Sequence, residues 1–230
     1  MLVNPSRNVV IAFLLSHLCS ADTVSILMNI GYEDKARTQS HALATAKDFQ
    51  VADPKIDKLA PVHNLTHEKA VMWYTLDLFT AQDSEGKTHD IDLEGGPHSA
   101  YSALSPTWTH NLPISDSYLF TKSSDPATLT VHGIKDAAGL ITLTVWAIGD
   151  NLGQHATIVP TYGKTTLKGK STSFGTKRKT PTDATPYVQF TFPADGETDS
   201  ISFQWSNPKA SRESGQFSCL NGISITYSEK

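Results

Sequence analysis

Cysteine is nearly absent: the 230 residues contain two, Cys19 and Cys219. That excludes a disulfide framework, so a buried core must hold the fold together. Charge is also sparse, with 19 Lys and Arg against 23 Asp and Glu. Mild acidity argues against a general nucleic-acid binder, which would present a basic face. Beyond residue 21 no apolar run approaches the roughly 20 residues of a membrane span, so no membrane insertion is expected there. Helical periodicity is scarce, and no repeat, low-complexity tract or linker divides the chain, so one domain is the economical reading.

The N-terminus has a character of its own. "MLVNPSR" carries one positive charge, and the apolar run "VVIAFLL" and the exit "SHLCSAD" follow it. These are the three parts of a secretory signal, with cleavage expected after Ala21. Leu18, where lipidation of Cys19 would need a small residue, argues against an acyl anchor. The expectation is export to the extracellular or periplasmic space, with residues 22–230 forming the mature domain. Such a length can bury about 70% of its unfolded surface. Cys219 is then left without a partner.

Alternation with period two dominates what remains. "ATLTVHGI" places Leu129 and Val131 on one face, and "LITLTVWAI" places Ile141, Leu143, Val145 and Ala147 on one side. "YVQFTF", "SISFQWS" and "GISITYS" do the same with Val188, Phe190 and Phe192, then Ile201, Phe203 and Trp205, then Ile223, Ile225 and Tyr227. Earlier in the chain, "TVSILMNIG", "TLDLF" and "HDIDL" read as further strands, and "SHALATAKDF" as one short helix or a loop. Short alternating runs separated by Gly, Pro, Asn and Asp predict antiparallel strands with one wet face. The fold class expected is all-β, an antiparallel β-sandwich of jelly-roll type with few or short helices.

The order of "ISDSYLF", "ATLTVHGIKDAAGLITLTVWAIGDN", "PYVQFTF" and "GQFSCLNGISIT" resembles a galactose-binding-like jelly roll of the carbohydrate-binding-module type, found in secreted bacterial proteins. The shared features are a Gly-containing turn leading into a long central strand, and an Asn-Gly before the last strand. The resemblance covers roughly residues 107–227. It implies sugar binding as the commonest activity, with a polysaccharide or glycan as partner, and it supplies no catalytic residue.

One segment, "TLTVWAIGDNLGQH", raises a catalytic question. Gly149-Asp150-Asn151 stands where an esterase elbow would. Such an elbow needs a nucleophilic oxygen, a base and an orienting carboxylate. Asn151 offers an amide, and the chain has no Asp-x-x-His, so no catalytic residue is assigned. The ligand-binding reading keeps Trp146, Asp150, Asn151, Gln154 and His155. Trp146 shares a face with Thr142 and Thr144, where an indole serves either as a flat sugar platform or as a cover over the strand end. Gln154 and His155 supply donors and acceptors for hydroxyls. Trp108 and His110, on an expected loop, form a second aromatic-polar pair.

Metal sites are weakly indicated. His63 and His67 are four apart, but "HEKAV" lacks the second histidine of a zinc motif, and no third ligand is evident. Asp83, Glu85, Asp90, Asp92 and Glu94 leave a structural calcium open. Asp90, Asp92 and Glu94 alternate, however, as the exposed face of a charge-protected edge strand would. No metal residue and no cofactor are assigned. Between His155 and Asp183 there is no acid, while Lys164, Lys168, Lys170, Lys177, Arg178 and Lys179 occur there. That segment is either a solvated loop or a patch for an anionic polysaccharide. Two other readings stay open. One is a lyase or hydrolase using Tyr101, His98 and Arg212, the last also counted among the ligand-binding residues. The other is an adhesive surface protein with no small ligand.

Overall fold

Alternation becomes strand wherever the computed structural model describes the chain, namely residues 23–32, 44–67, 76–95, 99–102, 114, 117–149, 152–173 and 184–230. Strands are numbered β1 to β16 in chain order, and a single short helix, α1, spans Ala46–Gln50. The first sheet runs in the order β13 (Tyr187–Pro193), β8 (Ala137–Trp146), β16 (Gly222–Glu229), β1 (Thr23–Tyr32) and β2 (His63–His67). The second follows β11 (Thr165–Thr166), β10 (Thr157–Tyr162), β14 (Ser200–Ser206), β7 (Ala127–His132), β4 (Thr88–Glu94) and β3 (Leu76–Gln82), and β12 (Lys170–Ser171) also pairs with β10. A third, smaller sheet joins β5 (Ser99–Ser102), β6 (Ser117–Thr121), β15 (Phe217–Leu220) and β9 (Gln154–His155). Pairing is antiparallel except between β1 and β2 and between β15 and β9. The protein is an all-β sandwich.

The alternating apolar residues meet between the two large sheets. Val24, Ile26, Met28, Leu143, Val145, Phe190, Ile223 and Ile225 come from the first, and Ile91, Leu129, Val131, Ile158, Phe203 and Trp205 from the second. Each large side chain so buried contributes about 1.5–3 kcal/mol relative to exposure. Every inward face read from "ATLTVHGI", "LITLTVWAI", "YVQFTF", "SISFQWS" and "GISITYS" lies in this cluster.

The expectation of one wet face holds for the second sheet and fails for the first. A second cluster covers the outer side of the first sheet: Leu27 and Trp146 pack there with Ala46, Phe49, Ile56, Ala60 and Ile114. The covering segment begins at α1, where Thr45 N donates to the Asp48 carboxylate at 2.7 Å in a capping box. It is pinned onto β16 by Thr226 Oγ1, which donates to Asp53 Oδ2 at 2.7 Å.

The Asn-Gly before the last strand is a structural stitch. Asn221 N donates to Trp146 O, its Oδ1 accepts from Ile148 N, and its backbone O accepts from Ile30 N, so one residue ties β8 to β1. A Cβ on Gly222 would stand 2.6 Å from Met28 O, closer than any side chain tolerates. The acids Asp90, Asp92 and Glu94 do alternate outward, but β4 pairs on both sides, with β3 and β7. Their strand is therefore interior to the sheet rather than an edge. No helix among the described residues is long and apolar enough to cross a membrane.

Candidate functional site

Trp146 requires a correction. Its indole is fully buried, edge-on to Phe49 at 5.1 Å and tilted against Tyr187 at 5.5 Å. It closes the second apolar cluster and presents no face to a ligand, because the segment around α1 lies over that side of β8. Gln154 is also corrected. It is buried, and its Oε1 accepts from the Tyr118 hydroxyl at 3.3 Å. A Cβ on Gly149 would come within 2.6 Å of the Gln154 Cβ, so glycine is there to let that side chain pass. The glycine at 149 thus follows from close packing.

His155 is partly exposed, and burial together with the charge of Lys209 holds its pKa below the ordinary histidine value. Arg212 is exposed on the loop that leads into β15. Asp150, Asn151, Trp108, His110, His98 and residues 1–21 lie outside the described residues, as do Lys177, Arg178 and Lys179. Tyr101 is on β5, but its side chain is outside them too. Among the described residues, no three carboxylate, histidine or cysteine groups converge as a metal centre would require.

The small sheet gathers aromatics that the sequence did not mark as a site. Phe120 pairs in register with Cys219, and Phe217 lies two residues earlier on the same face of β15. Their rings stack at 4.9 Å and 27°, and both are partly exposed. Tyr118, buried beneath, meets Phe120 edge-on at 6.0 Å. The Lys122 ammonium lies 5.8 Å from the Phe120 centroid and 5.5 Å from that of Phe217. An exposed cation over a ring contributes only about 0.5–1 kcal/mol, so this lysine can leave for a better partner.

The loops around the pair are held in place. Asn207 Nδ2 donates to Gly153 O at 2.8 Å and to Phe217 O at 3.0 Å, locking the start of β15 to the loop before β9. Lys122, Lys209 and Arg212 outnumber the nearby acids Asp125 and Glu213 in these loops. Ser218 and His155 are register neighbours, but Ser218 Oγ is fully buried and has no hydrogen-bond partner among the described residues. The pair therefore lacks the hydrogen bond that would activate a nucleophile. Phe120 and Phe217 are far apart in sequence, and only the register of β6 with β15 brings them together. The sequence shows the aromatics of "SYLF" and "GQFSC" but not their pairing.

No protein-family model and no curated protein matches the sequence. Among solved structures, a cyclase from Fischerella sp. TAU is 13% identical with a TM-score of 0.38, covering 62% of this chain and 77% of that one. The C-terminal CBM6 module of LamC from Zobellia galactanivorans is 15% identical with a TM-score of 0.29, over 67% and 92%. The GH115 4-O-methyl-α-glucuronidase BtGH115A is 9% identical with a TM-score of 0.33, over 80% of this chain. This chain spans about a quarter of that glucuronidase, 24% of its length. The modules and the enzymes stand at the same low similarity, which favours neither function.

Proposed function

We propose that the protein is a secreted, non-catalytic carbohydrate-binding module of galactose-binding-like type, released by cleavage near Ala21. Its surface for a polysaccharide is the Phe120–Phe217 pair. The observation that carries this reading is a stacked, partly exposed aromatic pair with an ammonium poised over both rings. Sugar rings present C–H faces that pack on aromatics, and the buried Tyr118 and Cys219 flank the pair on the same sheet face. Lys122 adds a cation where a uronate or sulfate of the same sugar would come to lie, and Arg212 and Lys209 extend that bias. An acidic polysaccharide therefore fits better than a neutral one.

A glycan array spanning neutral, uronic and sulfated polymers, run with and without chelator, tests this reading. Retention is expected on acidic polymers, unaffected by chelator. It should weaken steeply as salt shortens the screening length to about 8–10 Å. Phe217→Ala should abolish retention, and Lys122→Ala should shift preference toward neutral polymers. Retention that survives Phe217→Ala, or that ignores salt, overturns the proposal.

A further inference from the structure

A cleft of about 590 Å³ opens between the loop after α1 and the β3–β4 turn, built from elements distinct from the aromatic pair. Thr23, Lys55, Asp57, Leu59, Ser84 and Glu85 line it. Its volume is within the range of about 300–1,000 Å³ usual for small-ligand sites.

Both walls are set before any ligand arrives. On one side, Asp53 receives Thr226 Oγ1 at 2.7 Å on one oxygen and Lys55 N at 3.1 Å on the other. Ile56 is buried in the second apolar cluster, so the loop is anchored from below. On the other side, Asp83 is fully buried. It accepts from Glu85 N and Lys87 N, both at 2.9 Å, and pairs with His89 Nε2 at 2.9 Å. Ser84 N donates to Ser25 O and Ser25 N donates to Ser84 Oγ, both at 3.0 Å, tying that turn to β1. Pre-set walls save the ordering cost that weakens binding at flexible sites.

The charged groups facing the cleft keep most of their bonding capacity, while Ser84 Oγ already accepts from Ser25 N and has its proton left to donate. Among the described residues neither Lys55 nor Glu85 enters an ion pair, and Asp57 uses one oxygen, accepting Leu59 N at 2.8 Å. Leu59 is 82% exposed, an apolar side chain held out at the rim. One pleat inward from Thr23 on the same face of β1, the Ser25 hydroxyl is fully buried and has no partner among the described residues. The cleft thus combines hydroxyls, an apolar edge and two carboxylates against one ammonium, with a buried hydroxyl one pleat behind it.

We infer that this cleft binds a sugar carrying a protonated amine. The hydroxyls of Thr23 and Ser84 match a polyol, Leu59 takes the C–H side of a ring, and Lys55 offsets one carboxylate. The remaining carboxylate, exposed like its partner, favours a cation over a neutral sugar and repels an acidic one. The selectivity is therefore opposite to that of the aromatic pair.

The probe is a glucosamine hexamer at a pH where its amines are protonated. It is compared with its N-acetylated counterpart and a hexauronate by calorimetry and by amide shifts in NMR. The hexamer is expected to move the amides of Lys55, Asp57, Leu59 and Glu85. The acetylated form should bind about tenfold more weakly, and the hexauronate should not bind there. Glu85→Gln, which keeps the backbone bond to Asp83, should weaken the hexamer about tenfold, the loss of one charge-assisted hydrogen bond. Phe217→Ala should leave its binding unchanged, which separates this cleft from the polysaccharide surface. Equal binding of the acetylated hexamer, unchanged affinity in Glu85→Gln, or loss of binding in Phe217→Ala would each overturn the inference.

Discussion

Two strands of this protein carry the same four residues. β7 reads Thr128-Leu129-Thr130-Val131 and continues into His132; β8 reads Thr142-Leu143-Thr144-Val145 and continues into Trp146. In both, the leucine and valine enter the main core from opposite sheets. On the other face they part company. Thr128, Thr130 and His132 are partly exposed, whereas Thr144 and Trp146 are fully buried. His132 pairs with Asp92 at 2.9 Å with both side chains more than a third exposed. Trp146 instead anchors a second core with Phe49. Local alternation decides which residues meet the main core. Whether the opposite face stays wet depends on a distant segment, here residues 44–62.

The comparison breaks if Trp146 tolerates removal as well as His132 does. Trp146→Ala should cost about 3–5 kcal/mol, the range for emptying a large buried aromatic site. Urea unfolding followed by circular dichroism measures this directly. A loss under about 1 kcal/mol would mean that the covering segment does not pack on β8. Phe49→Ala should give a loss of the same order, and the double variant should show coupling of about 0.5–1.5 kcal/mol for the edge-on pair.

A smaller effect tests how the cover is held. Asp53→Ala leaves the buried Thr226 hydroxyl without its acceptor, and should cost about 1–3 kcal/mol. Because Lys55 N loses its acceptor in the same change, hydrogen exchange should accelerate at Lys55 more than at β8. Equal protection at Lys55 in both proteins would show that the loop holds its shape without Asp53.

The inward faces were legible because period two is intrinsic to a strand, and the two large sheets only had to bring those faces together. Trp146 was not legible from its own strand, since "TLTVW" alternates whether or not something lies above it. A sign was present elsewhere. "SILMN" runs Ile26-Leu27-Met28 without a polar break, and an unbroken apolar run marks a strand buried on both faces. The capping pair Thr45 and Asp48, three residues apart, was equally visible as a helix start. The stacked Phe120 and Phe217 depend on register between distant strands, and the cleft depends on buried polar tethers such as Thr226 to Asp53. Neither leaves a periodic trace.

Protonation extends the comparison to the rim of the small sheet. Burial and Lys209 lower the pKa of His155, and burial lowers that of His63. Unfolding returns both to about 6.5, so the unfolded chain takes up protons first as the pH falls. Stability should therefore be level above that value. It should decline as the pH drops through the window beneath it, and flatten once the folded histidines also protonate. His155→Gln should make the decline shallower; an unchanged slope in that variant would assign the effect to other groups.

The smallest effect is expected at His132, the counterpart of Trp146. Its hydrogen bond with Asp92 is open to water, where even charged pairs contribute about 0–1 kcal/mol. His132→Ala should therefore shift the urea midpoint only slightly, and Asp92→Asn by no more. The His89 ring complicates this simple picture, because its Nδ1 is bonded to the backbone oxygen of His132 at 2.9 Å. On the His132 side that bond uses main chain alone, so exchanging the His132 side chain leaves it in place. A loss at His132→Ala approaching that of Trp146→Ala would mean that the side chain organises the His89 contact as well, and that the outer face of β7 is as structural as that of β8.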